Sequence, residues 1–331
     1  MRAMVIREHG GPDVLQMEER PEPELRETDV LVEVHATSVN PVDTKVRQRS
    51  GNREFPITLG YDVSGVVVSC GKRATMWQPG DEIFASPNLF RPGANAEFVA
   101  IDGRSAARKP RSVDHVTAAV LPLVSLTAWE ALHLRARIHP GQTVLIHAGA
   151  GGVGHIAVQL AKLHGCRVVT TAGRPESIDF CRDVLRADEV IDYRSTSVVE
   201  RVKEMTSGKG LPVVFDTVGG EVFQQSIDCA AVNGQVVTIL GANTGDRGQS
   251  LLYRNVTIHY EFMGIPTASE IEPERPAQIL AGIARLVDAG LLHPTVNHIF
   301  PLERVADGHR QVETSRTIGK VAIAVRPRER G

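Results

Sequence analysis

An excess of charge of either sign is the first thing this 331-residue chain lacks. Its 37 Lys and Arg stand against 39 Asp and Glu, a formal net charge of −2. Nucleic-acid binding usually needs a basic face, so no nucleic-acid partner is expected. Clustered cysteine is missing too. Cys70, Cys166, Cys181 and Cys229 lie far apart, with no Cys-x-x-Cys and no His-rich neighbourhood. That spacing indicates neither a zinc site nor a disulfide framework, and reads as free, mostly buried thiols. A long apolar run is also lacking. The uncharged stretch from Gln142 to Ala161 holds four glycines and two histidines, whereas a membrane span needs about 20 continuously apolar residues. The first residues, MRAMVIREHGGPDVL, carry charge where a signal peptide needs an apolar core. The expectation is a cytoplasmic protein with no membrane partner.

What is present is length, and slightly more glycine than usual. At about 150 residues per domain the chain has room for about two domains, and it buries enough surface to need no staples. Its 30 glycines are about 9% of the chain, against a usual ~7%. The first ~120 residues read as β-rich. Met4–Ile6, Val30–Ala36 and Val63–Ser69 are short β-branched runs, and Pro21, Pro23, Pro41, Pro56, Pro79, Pro87 and Pro92 interrupt too often for long helices. His115–His133 is apolar and reads as two helices broken at Pro122. From Thr143 strands and helices alternate. Strands are expected at Thr143–Ala148, Arg167–Ala172, Glu189–Tyr193, Val213–Val218, Gln235–Gly241 and Thr257–Met263. Helices are expected at Val153–His164, Glu176–Leu185, Thr196–Ser207 and Glu221–Ala231. That alternation predicts a parallel sheet with helices on both faces. A helix at Ala277–Ala289 and a strand at Gly319–Val325 follow. The return of β texture predicts that the α/β domain is inserted into the β-rich one, with 1–123 and 266–331 flanking 124–265.

The sharpest motif is Gly149-Ala150-Gly151-Gly152-Val153-Gly154, directly after the strand TVLIHA and directly before a helix. In that context G-x-G-x-x-G is a dinucleotide fingerprint. Glycine lets the backbone approach a pyrophosphate, and the helix N-terminus meets it with unpaired N–H groups. An NAD site usually carries Asp or Glu at the end of the second strand, to bind the ribose hydroxyls. Here the stretch Val168–Arg174 holds no acid. Gly173 leaves room, Arg174 brings a forked cation suited to phosphate, and Tyr193 ends the next strand. The expected cofactor is NADPH.

These residues resemble the medium-chain dehydrogenase/reductase superfamily, in its zinc-independent, quinone oxidoreductase-like branch. The resemblance runs through GGPDVLQMEERPEPE, VLVEVHATSVNPVDTKVR, LGYDVSGVV, WQPGDEIFA, LPLVSLTAWEAL, HAGAGGVGHIAVQLAK, ADEVIDYR, VVFDTVGGE and TIGKVAIAV. It implies a GroES-like β-rich catalytic domain plus an inserted Rossmann doubly wound parallel sheet. It also implies a homodimer or homotetramer. Zinc-dependent relatives place Cys where this chain has Asn40, and Gly-His-Glu where it has Gly60-Tyr61-Asp62, and they carry four further clustered cysteines. Asn40 and Tyr61 are poor zinc ligands, so no metal is expected, and hydrogen-bond donors must polarise the substrate instead.

The resemblance also implies roles. Asn40, in the NPVD loop, stands near the nicotinamide or stabilises its own loop, and Asp43 pins that loop. Lys45 replaces a Tyr common among such relatives. It would steady an enolate or semiquinone oxygen, bind the cofactor phosphate, or point to solvent. Tyr61 would donate to the substrate oxygen or pack as an aromatic. Thr127 matches a Thr that contacts nicotinamide or its ribose. Gly152 and Val153 would meet the pyrophosphate. Asp216 and Val218, and Gly241, Ala242 and Asn243, stand at the sheet edge where ligands bind. Phe262 and Met263 match the segment that holds the carboxamide, and Lys320 would reach the 2′-phosphate. The implied activity is hydride transfer to a quinone or an α,β-unsaturated carbonyl, small molecules both. The rival readings are an enoyl-thioester reductase and a non-catalytic NADPH-binding or RNA-associated protein. The cofactor expectation has a direct check. Arg174→Ala should lower the NADPH/NADH ratio of kcat/KM by about tenfold or more, the scale of one lost charge-assisted contact. An unchanged ratio would remove Arg174 from 2′-phosphate binding.

Overall fold

The computed structural model describes residues 1–49 and 53–326. The chain forms two compact units, Met1–Leu126 with Gly264–Gly331, and Thr127–Met263.

The first unit is built on the strand Asp29–Val39. Its β-branched residues suit a pleated, half-buried surface. Val63–Cys70, Phe98–Asp102 and Lys320–Ala324 each pair with it antiparallel. The full sheet runs Val296–Pro301, Lys320–Ala324, Asp29–Val39, Val63–Cys70, Glu82–Ala85 and Ala107–Arg108 in space, with Phe98–Asp102 joined to the long strand. Val30, Val32 and Val34 bury their side chains against Val63, Val67, Ile83, Val99 and Ile101. A second sheet of three strands pairs Arg2–Ile6 with Gln16–Glu19 and Ile57–Thr58.

The proline-rich segment nonetheless holds a short helix, Pro41–Gln48. Pro41 opens it, where its missing N–H is no loss. The strand Val296–Pro301 and the helix Val305–Glu313 were not expected. The strand is mostly exposed, so it lacks a clean apolar alternation. The helix contains Gly308, a poor helix former. A Cβ there would stand 3.0 Å from Ile323 Cδ1 and 3.1 Å from Val39 Cγ2, so packing explains the glycine.

The second unit is a six-stranded sheet, parallel throughout. In chain order its strands are Thr143–Ile146, Arg167–Ala172, Glu189–Asp192, Leu211–Asp216, Ala230–Thr238 and Thr257–Tyr260. In space they lie third, second, first, fourth, fifth, sixth. That order is the doubly wound dinucleotide-binding arrangement, with the strand order reversing at the first strand. The fourth and fifth strands end at Asp216 and Thr238, earlier than the periodicity predicts, so Val218 and Gly241 lie in the loops beyond them. The apolar run 115–135 breaks as expected at Pro122, between His115–Ala118 and Pro122–Trp129. It is long and apolar enough to cross a membrane by composition, yet 78% of its apolar window is buried inside the protein. That burial is what a core helix shows.

Candidate active site and cofactor-binding edge

The Gly-rich turn in the second unit is shaped by close contacts. A Cβ on Gly154 would lie 2.1 Å from the Ala148 carbonyl oxygen, and one on Gly149 would lie 2.1 Å from Thr170 Oγ1. Neither neighbour can yield, since Thr170 Oγ1 donates to the Ile146 carbonyl at 2.6 Å. The turn is tied to the second strand. Ala148 N–H donates to Thr171 Oγ1 at 2.9 Å, and Gly149 N–H to the Thr171 carbonyl at 3.2 Å. Gly151 is the extended residue before the helix Gly152–Leu163. The first-turn N–H groups of Gly152, Val153 and Gly154 therefore have no carbonyl within the helix to meet. An anion such as a pyrophosphate suits that position.

Gly173, Arg174 and Tyr193 come together at the end of the second strand. A Cβ on Gly173 would lie 2.4 Å from Tyr193 Cζ. The room that Gly173 leaves is thus filled by the phenol of Tyr193, which corrects the expectation that it clears the ribose directly. Tyr193 itself is exposed, and Arg174 donates to Ser177 Oγ at 3.2 Å.

Asp216 is also reassigned. It is fully buried, Oδ1 accepts from the N–H groups of Val218 and Gly219, and Oδ2 accepts from Thr238 Oγ1 at 2.9 Å. The carboxylate shapes the turn and leaves Val218 exposed beyond it. Gly241 and Asn243 are exposed in the next loop, with Ala242 half-buried between them, and Asn243 Oδ1 accepts from Gly245 N–H at 3.0 Å. Phe262 is exposed, while Met263 and Thr127 are buried. His147, which sequence reasoning passed over, stands beside Thr171 Oγ1 at 3.4 Å. Burial pushes its pKa down to about 4 against the opposing pull of Asp216, so it is neutral at pH 7. Its place two residues before Gly149, the first glycine of the motif, was the available signal.

The first unit gathers polar side chains around Asp62. This carboxylate is fully buried. Oδ2 accepts from Ser38 Oγ and from Asn40 Nδ2 at 2.8 Å, and lies 3.5 Å from Lys320 Nζ. Oδ1 accepts from Leu123 N–H at 2.7 Å. Lys320 Nζ also donates to Asn40 Oδ1 and to the Val39 carbonyl. Lys320 is 3% exposed, and its hydrogen bonds all go inward. That corrects its expected contact with a 2′-phosphate. Asn40, 1% exposed, has its carboxamide engaged at both ends. Asp43 pins the loop as expected, accepting from the N–H groups of Asn40 at 2.8 Å and Gly60 at 2.9 Å.

Tyr61 is fully buried and Lys45 is exposed on the Pro41–Gln48 helix. The two are therefore not equivalent candidates. Tyr61 Oη accepts from Arg53 Nη1 at 2.8 Å, which leaves its own O–H to donate. Burial, reinforced by Asp43, pushes the phenol up to about 12, so it stays protonated. The Arg53 guanidinium lies 5.2 Å from the centroid of the Phe90 ring, and Phe90 is exposed.

The family described as alcohol dehydrogenase GroES-like domain matches residues 26–111, and that described as zinc-binding dehydrogenase matches residues 185–323. The human mitochondrial NAD(P)H oxidoreductase RTN4IP1 is 32% identical, over 98% of this chain and 89% of that protein. A quinone oxidoreductase of Pongo abelii is 30% identical, over 94% of each. The crystal structure of Escherichia coli quinone oxidoreductase complexed with NADPH is 28% identical, with a TM-score of 0.89 over 98% of this chain and 100% of that one. One of these family descriptions names zinc. Zinc favours thiolate, imidazole and carboxylate ligands. At the positions in question Asn40 is bonded to an ammonium, Tyr61 to a guanidinium, and Asp62 is paired with Lys320. This donor set does not fit zinc, and among the described residues no three His, Cys, Asp or Glu side chains are grouped as metal ligands.

The buried carboxyl of Asp43 makes a pH prediction. Desolvation raises its pKa from 3.8 to about 7, against the two backbone N–H bonds and Lys320. Between those values the native state holds a proton that the unfolded chain releases, so the contribution of Asp43 to stability falls as pH rises, by at most ~1.4 kcal/mol per pH unit. Asp43→Asn removes this slope. The unfolding free energy of wild type minus that of the variant should therefore decline from pH 4.5 to 6.5 and level off above about 7. A flat difference across that range would mean the carboxyl is ionised throughout.

Proposed function

Because the chain belongs to the medium-chain dehydrogenase/reductase superfamily, as a quinone oxidoreductase-like NAD(P)H oxidoreductase, we propose that it is an NADPH-dependent reductase. Its acceptor is a quinone or an α,β-unsaturated carbonyl, and it works without zinc. The observation that carries the reading is the Tyr61 phenol. It is held protonated, its oxygen is occupied by Arg53, and its O–H is left to donate.

NADPH supplies the hydride when bound. The chain does the rest. The first-turn N–H groups of Gly152, Val153 and Gly154 bind the pyrophosphate. Arg174 and Tyr193, with no acid among Val168–Arg174, favour the 2′-phosphate. As hydride arrives, negative charge develops on the acceptor oxygen, and donors already aimed there stabilise it without reorganising. Tyr61 is one such donor, backed by Arg53, and Asn40 is the second. Lys45, exposed on its helix, serves cofactor or solvent rather than this oxygen. The reduced acceptor takes its proton from Tyr61 or from water.

A homodimer completes the reading. The strand Thr257–Tyr260 ends the sheet of the second unit, with one hydrogen-bonding edge unpaired by any described strand. Tyr260 on that strand, and Leu252 and Tyr253 on the helix before it, are exposed, at 62, 74 and 79%. Open edges and exposed aromatics are features that proteins usually cover.

Two measurements test these statements. Purified protein with NADPH should oxidise the cofactor in the presence of 1,4-benzoquinone, 9,10-phenanthrenequinone or an alkenal, with crotonyl-thioester the poorest acceptor. Turnover of crotonyl-thioester alone would make it an enoyl-thioester reductase. Tight NADPH binding with no acceptor reduced would make it a non-catalytic binder. Light scattering should give twice the 35.9 kDa chain mass; a monomer at micromolar concentration would overturn the dimer.

A further inference from the structure

We propose that Lys320 is a positioning residue for this reduction, acting through the carboxamide of Asn40. The inference rests on the reductase reading above and adds a residue from the far end of the chain. Strand register brings it there. Val321 pairs with Val39 in the antiparallel ladder, so Lys320 falls opposite Asn40 where the long strand ends. Its Nζ donates to Asn40 Oδ1, to the Val39 carbonyl at 3.3 Å and to Asp62 Oδ2 at 3.5 Å. Those are all three protons of an ammonium.

This arrangement orients the amide without ambiguity. An ammonium only donates, so the amide oxygen must face Lys320. An ionised carboxylate only accepts, so the nitrogen must face Asp62. A flipped amide would set two donors against each other on one side and two acceptors on the other. The cation on the oxygen also draws electron density from the nitrogen and strengthens both of its N–H groups as donors. Asp62 takes one of them. The second is the one that the structure prepares for the acceptor oxygen. A positive charge is thus applied from behind a neutral donor. The group can lose no proton at working pH and presents none of the strong hydration of a bare ammonium.

The arrangement also explains why a lysine is tolerated in a dry site. The fully buried carboxylate of Asp62 stands 3.5 Å from Nζ and opposes the burial that pulls the lysine pKa down. Removing only the lysine would strand Asp62, which is costly.

The test is a double-mutant cycle on kcat/KM for quinone reduction, with NADPH affinity measured separately. Lys320→Met should lower kcat by about tenfold or more, the scale of one weakened oxyanion donor. Its NADPH Kd should stay within about twofold, because the protons of Lys320 Nζ are committed to Val39, Asn40 and Asp62. Asn40→Ser lowers kcat by itself. In the double variant the loss should stay within about twofold of Asn40→Ser alone, because two residues acting as a unit are not additive. Multiplying losses, or an unchanged kcat in folded Lys320→Met, would overturn the proposal. If Lys320→Met fails to fold, Lys320→Met/Asp62→Asn removes the stranded charge. The cycle is then run against Asp62→Asn with the same criteria. Should wild type reduce no acceptor at all, the reductase reading fails and the positioning claim is judged separately. The side-chain amide protons of Asn40 should be resolved by NMR and should shift upfield in Lys320→Met. No shift would overturn it.

Discussion

The carboxylate of Asp62 is the point on which the first unit turns. Three other stretches of chain meet it, each through one bond or a few. They are Ser38 and Asn40 at the end of the long strand, Leu123 at the start of a helix, and Lys320 on a strand from the other end of the sequence. A buried carboxylate is costly unless its lone pairs are met. Here each oxygen accepts at least one hydrogen bond, and a cation stands at 3.5 Å. The requirement works in reverse as well. Because the charge must be satisfied, the strand end, the helix start and the NPVD loop are held in one arrangement. The loop cannot wander without exposing an unpaired anion.

The second unit solves a different problem with different means. A pyrophosphate needs backbone, not side chains, and the backbone must come close. Gly149 and Gly154 are small because Thr170 and Ala148 press against them. The polar side chains of Thr171 and Asp216 beneath hold the turn, and His147 stands beside Thr171. Most of the buried polar groups named in the two units serve as scaffolding; on the proposed reading the ligand-binding groups are the helix-start N–H groups, Arg174 and Tyr193 in one unit, and the phenol of Tyr61 and the amide of Asn40 in the other.

That division explains what could be read from the sequence. The glycine motif is legible because its causes are local: strand, turn and helix lie within about 20 residues, and each leaves a pattern. The pairing of Gly173 with Tyr193 was half legible. The shared location followed from both standing at strand ends, but the ring filling the glycine's space did not. Asp216 looked like a ligand because it ends a strand at the binding edge, and only its bonds to Val218, Gly219 and Thr238 show it turned inward. Lys320 was the least legible. Its partner is 280 residues away, and nothing in the composition of TIGKVAIAV distinguishes a buried ammonium from one that reaches for phosphate. Long-range register decides that, and register is a property of the folded sheet. The helix around Gly308 escaped for a related reason, since its glycine answers to Ile323 and Val39 on a distant strand and the adjacent strand.

The positions that zinc-dependent relatives use for ligands hold neutral donors backed by cations here, and their geometry bears on the acceptor. Lys320 and Arg53 each place a positive charge one bond behind a neutral donor, the amide of Asn40 and the phenol of Tyr61. A metal ion binds an oxygen directly and polarises it strongly, which suits a substrate that must become an alkoxide. Two neutral donors stabilise less charge at a single atom. They suit an oxyanion whose charge is already spread over a conjugated system, as in a quinol or an enolate, where hydride enters at one atom and charge collects on another. Donors of this strength also release the product, because once the oxygen is protonated a hydrogen bond to a neutral phenol or amide gains little over one to water. On the proposed reading, the shift from metal to backed hydrogen-bond donors and the preference for conjugated acceptors are one property of the site.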